Sequence, residues 1–174
     1  FTYAVLVVFT LPALLAGSSP LLVALVSSGL IMFVVLYLAH GVNVRTTTAL
    51  LGTLVSLALT GVLAAVFVEL TRLSGASSEE ATYVKAQVGD VDLKGLLLAG
   101  IIIGALGVLN DVTVTQSSAA FEIHAANPER GARAVYRSAM RVGRDHIASV
   151  VDTLVLAYAG ASLPLLILFM LAEQ

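Results

Sequence analysis

The chain alternates between long apolar runs and short polar interruptions. Five apolar segments emerge, at about 1–16, 21–39, 47–70, 93–115 and 147–171. Each is near the roughly 18 to 20 apolar residues that cross a bilayer as a helix. GSSP at 17–20 reads as a tight turn, with Pro20 at the first position of the next helix. A short connection, His40 to Arg45, separates the second and third segments. The stretch 71–92 reads as a longer loop containing Glu79, Glu80, Asp90 and Asp92. After 115 the chain is polar to about Asp145, and the fifth segment is interrupted by AGASLP at 159–164. The pattern predicts an all-α, polytopic transmembrane helix bundle with about five spans, forming a single domain over 1–174. The first span looks clipped and the chain has no initiating Met, so the expectation is a fragment of a longer protein.

Composition sharpens this picture. The chain is 59% hydrophobic and 11% charged, with a mean hydropathy of +1.00. Soluble domains carry about 25% charged residues, too many for this chain to match. There are no cysteines, which excludes disulfide frameworks, thiolate nucleophiles and Cys-based metal sites. No basic domain or aromatic-interleaved patch points to nucleic acid. Neither a GxxxxGK[ST] loop nor an HExxH is present, and His40, His124 and His146 are scattered. Neither intramembrane Asp sits in the GxGD or YD setting of membrane aspartyl proteases. No catalytic residue, cofactor or metal is therefore expected.

Charge placement sets the orientation. Arg130, Arg133, Arg137, Arg141 and Arg144 fall in the fourth connection, and Arg45 in the second. With five spans, 40–45 and 116–145 lie on one side by parity. Both are the basic connections, so both are expected to be cytoplasmic. Asn127-Pro128-Glu129 reads as a helix start. From it the arginines step by three and four onto one face, opposite Val135, Ala139 and Val142. The expected product is a basic amphipathic cytoplasmic helix between spans four and five. It would contact anionic headgroups, an acidic partner or an anionic substrate.

The candidate chemistry lies in spans four and five. Gly100, Gly104, Gly107 and Asp111 recur at helical spacing and predict one face packed against protein. Beside it stand Asn110, Thr113, Thr115, Gln116, Ser117 and Ser118. An Asp at the centre of a membrane helix costs roughly 2.5 to 3.5 kcal/mol, and less toward the end at 115. Asp111 reads either as an interfacial cap or helix–helix hydrogen bond, or as part of a substrate, proton or cation site. In span five, Asp145, Ser149 and Asp152 share a face, with Asp152 at a depth close to that of Asp111. Two such carboxylates, if close, would share a proton or bind a cation. Gly52, Ser56, Thr60 and Ala64 form a milder small-residue stripe read as packing. Pro164 predicts a kink, or a break of the kind that lines transporter sites.

Four blocks together resemble a known family: LPALLAGSSPLLVALV (11–26), LYLAHGVNVRTTTALLGT (36–53), GALGVLNDVTVTQSSAAFEIHAANP (104–128) and HIASVVDTLVLAYAGASLPLLILF (146–169). They are similar to the YibE/F-like bacterial membrane proteins. The resemblance implies a multi-pass plasma-membrane protein with further helices beyond both ends, and no settled activity. The expected function is a permease for an ion or small solute. Asn110, Asp111, Thr115, Gln116, Asp145, Ser149 and Asp152 would form its polar site. The alternative is a structural subunit of a larger membrane complex, partnered by other subunits or by a second copy.

Overall fold

The structure is a computed structural model that describes residues 1–76, 79–89 and 91–172; Asp90, placed in the 71–92 loop above, lies outside the described residues. Among the described residues every regular element is helical. In chain order these are α1 (Thr2–Leu15), α2 (Pro20–His40), α3 (Val44–Leu70), α4 (Glu79–Val88), α5 (Leu93–Ala126), α6 (Ala132–Ala161) and α7 (Leu163–Ala172). The chain divides into two compact units, Phe1–Ser118 and the remainder from Ala119.

The all-helical architecture stands, but the span count is lower than five. Three helices, α2, α3 and α5, are long and apolar enough to cross a membrane, and the bent pair α6–α7 makes a fourth if it is one span. The first apolar segment forms only the short α1. A π-type turn over Leu6–Thr10 widens it. Pro12 cannot donate to the carbonyl four residues back, and the Leu11 N–H reaches Leu6 one residue further along.

Three boundaries also differ. The 71–92 stretch is not all loop, because α4 forms within it. The helix of the fourth apolar segment does not stop at 115; α5 continues unbroken to Ala126. Asn127-Pro128-Glu129 does not start a helix. It is a turn in which the Arg130 N–H bonds to the Asn127 carbonyl at 3.1 Å, and α6 begins at Ala132 after Gly131. The basic helix and the first part of the fifth span are thus one continuous helix. The predicted break is present: α6 and α7 meet at Ser162 with a 60° bend.

The first unit is built from apolar helices that approach closely. Its core joins Val5 of α1, Ala24, Ile31, Met32 and Leu36 of α2, Leu50 and Leu57 of α3, and Ala99, Ile102 and Leu106 of α5. On α3 the buried stripe is Thr46, Leu50, Thr53, Leu57, Gly61, Ala64 and Val68. The Gly52, Ser56 and Thr60 stripe flanks it, half-buried. Gly61 sits where three helices meet: a Cβ there would contact Leu21, Leu25 and Ile102 at 3.6–3.9 Å. Small residues at such crossings let helices approach where lipid removes the hydrophobic drive to associate.

The connections are tied by short-range chemistry. Asn43 accepts from the Thr46 N–H at 2.9 Å and donates to the His40 carbonyl at 2.9 Å. One side chain thus caps the start of α3 and satisfies the end of α2. Asp92 accepts from the Gly95 N–H at 2.9 Å, and Lys94 pairs with Glu69 at the end of α3. The outward faces are apolar, with Phe33 55%, Val55 70% and Phe67 63% exposed. Exposed apolar surface this continuous belongs against lipid.

Candidate functional site

The polar block of α5 lies in the body of a helix, not at its end. From Lys94 to Glu122, the outermost charged residues of α5, the helix spans roughly 42 Å at the α-helical rise. That is close to the roughly 40–45 Å of a bilayer including headgroups. Asp111 lies about 17 Å from Glu122 along this axis.

Within the first unit, hydroxyl groups join the helices in a polar seam. The Thr53 and Thr113 hydroxyls lie 2.5 Å apart, linking α3 to α5. Ser117 donates to the Arg45 carbonyl at 3.0 Å. Tyr37 and Thr47 are joined at 3.0 Å across the α2–α3 turn. Deeper in the unit, the Thr10 hydroxyl donates to Ser27 at 2.8 Å, linking α1 to α2. Thr10, Ser27, Thr46 and Thr53 are all buried. Two polar atoms stand out. The Ser28 hydroxyl and the Asn110 Oδ1 are enclosed and accept or donate no hydrogen bond. Such groups are few in folded proteins, and each costs stability where it occurs.

The expected site residues divide between the units. Asn110, Thr115 and Gln116 are half-buried on α5, and Asp111 is exposed on it. Asp145, Ser149 and Asp152 are exposed on α6 in the second unit. Asp111 and Asp152 therefore belong to different units, and neither unit contains both carboxylates. Among the described residues there is no cluster of three metal-ligating side chains.

The glycine stripe is not the face of α5 that packs within the described residues. Gly100, Gly104 and Gly107 are exposed, and a Cβ at any of them would meet nothing within 4 Å. The face that packs inside this chain is Ala99, Ile102 and Leu106, continued by Thr113 and Ser117. The two stripes have the same period and are offset by about one residue. The small-residue face and the face buried within this chain are therefore two different sides of α5.

The arginine face is organised as the spacing suggested, with one change. Arg133, Arg137, Arg141 and Arg144 lie on α6, whereas Arg130 belongs to the preceding turn. All five line one cleft of about 760 Å³. Ala139 and Gly143 are buried on the opposite side of the helix.

No curated protein and no solved structure matches the chain. The family model described as YibE/F-like protein matches residues 1–174. With its apolar helices and lipid-suited outer faces, this membrane protein belongs to the YibE/F-like family.

Proposed function

We propose that the chain is a permease for an ion or small solute, with the polar block of α5 forming part of the path. The supporting observation is Asn110: its Oδ1 is enclosed without a partner, on a helix whose neighbouring Thr113 and Ser117 are hydrogen-bonded to α3. A packing role would favour satisfying that oxygen, because an orphaned polar atom is costly away from water. A passing ion or solute would supply what it lacks. Asp111, on the next position, contributes charge at the same depth. The bend between α6 and α7 gives a place where helix geometry can change.

In this proposal the host is the plasma membrane of a bacterium. The Gly41–Asn43 turn and the 127–131 connection are cytoplasmic. If α2, α3 and α5 each cross once, the two lie on the same side, and the arginines mark it as the inside. The test is cation and proton flux into proteoliposomes under an imposed gradient. Wild-type protein should carry flux, and Asn110→Leu and Asp111→Asn should each reduce it about tenfold or more. Flux equal to empty liposomes, or unchanged in both variants, overturns the proposal.

A second reading is favoured by the bare glycine face of α5. In it the chain is a subunit whose Gly100, Gly104 and Gly107 face meets a helix of another subunit or a second copy. Gly104→Leu would then shift the detergent-solubilised protein to a smaller species in light scattering. An unchanged mass argues against this reading.

A further inference from the structure

We infer that the arginine cleft of the second unit is a binding site for a phosphate-bearing anion. The inference rests on that unit alone and stands whether or not the chain is a permease. Five arginines, Arg130, Arg133, Arg137, Arg141 and Arg144, border one concavity of about 760 Å³. The concavity arises because the turn at 127–130 folds Arg130 back along α6. Its Nη1 donates to the Ser138 hydroxyl at 3.4 Å, eight residues further along the chain. Arg141 donates to the same hydroxyl at 3.4 Å. Two cations thus share one neutral acceptor.

Among the described residues, none of the five arginines pairs with a carboxylate. Glu129 and Asp145 are adjacent in sequence, yet neither lines the cleft. Converging like charges without a counter-ion repel one another. An anion between them reverses the sign of that interaction. Arginine suits phosphate in particular, since its planar fork binds two oxygens at once. Beyond the cleft α6 turns apolar: Ile147, Val151, Val155 and Leu156 are exposed further along the same helix. If that segment enters lipid, the arginines sit at headgroup level. The phosphate could come from an anionic lipid or from a soluble compound, and the recognition chemistry is the same.

The test uses the full chain in detergent, titrated by calorimetry with three probes: dihexanoyl phosphatidic acid, inorganic pyrophosphate, and dihexanoyl phosphatidylcholine as the zwitterionic control. Phosphatidic acid, pyrophosphate or both should bind at least about tenfold more tightly than phosphatidylcholine. Binding of phosphatidic acid alone identifies a lipid headgroup as the ligand. Binding of pyrophosphate identifies a soluble phosphate compound. The variant Arg137→Lys/Arg141→Lys keeps the charge but loses the fork, and should weaken binding about tenfold. Lys85→Gln, which removes a charge elsewhere, should leave it unchanged. An unfolding temperature near wild type without ligand shows that the double variant is folded. No preference over phosphatidylcholine, or equal binding by the double lysine variant, overturns the inference.

Discussion

Thr113 reaches Thr53 because α3 and α5 present small residues where they cross. The Thr113 methyl lies 3.8 Å from where a Cβ would stand at Gly52. Each hydroxyl also has a carbonyl on its own helix, Ala49 for Thr53 and Leu109 for Thr113. Losing one partner therefore leaves the other satisfied. A double-mutant cycle with Thr53→Val and Thr113→Val should give a coupling of about 0.6 kcal/mol in chemical unfolding. A coupling of several kcal/mol would mean that the pair does more than join helices. Glycine offers a second contrast. Gly17 and Gly75 both have positive φ, 79° and 76°. A Cβ at Gly17 meets nothing within 4 Å, but one at Gly75 overlaps the Leu93 backbone carbonyl. Gly17→Ala should cost about 1 kcal/mol for the backbone alone, and Gly75→Ala clearly more. Equal losses of thermal stability in the two variants would contradict the close approach at Gly75. Neither Thr113 nor Gly75 could be singled out from sequence. Thr113 is one of seven polar residues between Asn110 and Ser118, and helix rotation decides which one meets a neighbour.

At the scale of elements, local chemistry was legible and register was not. The break at 159–164 could be read because Pro164 removes a donor wherever it stands. The arginine face could be read because polar and apolar sides of α6 differ strongly. α5 is apolar almost all round, so its two candidate faces carry nearly the same pattern. Its end at Ala126 was also hidden, since polarity reports the surroundings of a segment rather than its hydrogen bonding. A helix can leave lipid without unwinding. The bend itself makes a prediction. Pro164→Ala restores the missing donor and should reduce the 60° angle between α6 and α7. Spin labels at Leu156 and Phe169 should then move apart in pulsed dipolar spectroscopy. An unchanged distance would place the cause of the bend elsewhere.

At the scale of the molecule, membrane residence followed from composition and is supported by the apolar outer faces. The number of crossings did not follow: among the described residues three helices, or four with the bent pair as one span, are long and apolar enough to cross. The absence of native cysteines makes topology accessible to single introduced thiols. Cysteines at Val42 and Glu129 should react from the same side of intact cells or spheroplasts, and one at Glu80 from the other. Labelling of Val42 and Glu129 from opposite sides would overturn the proposed crossing pattern.

A permease path requires that polar solute reach the block at 110–116 inside the membrane. Thiol scanning of the reconstituted protein tests it without knowledge of the solute. A membrane-impermeant maleimide should modify cysteines at Asn110, Asp111 and Thr115, and should leave Ile102 and Leu106, buried on the same helix, unmodified. If 110, 111 and 115 are as unreactive as 102 and 106, the block is dry packing and the account is wrong.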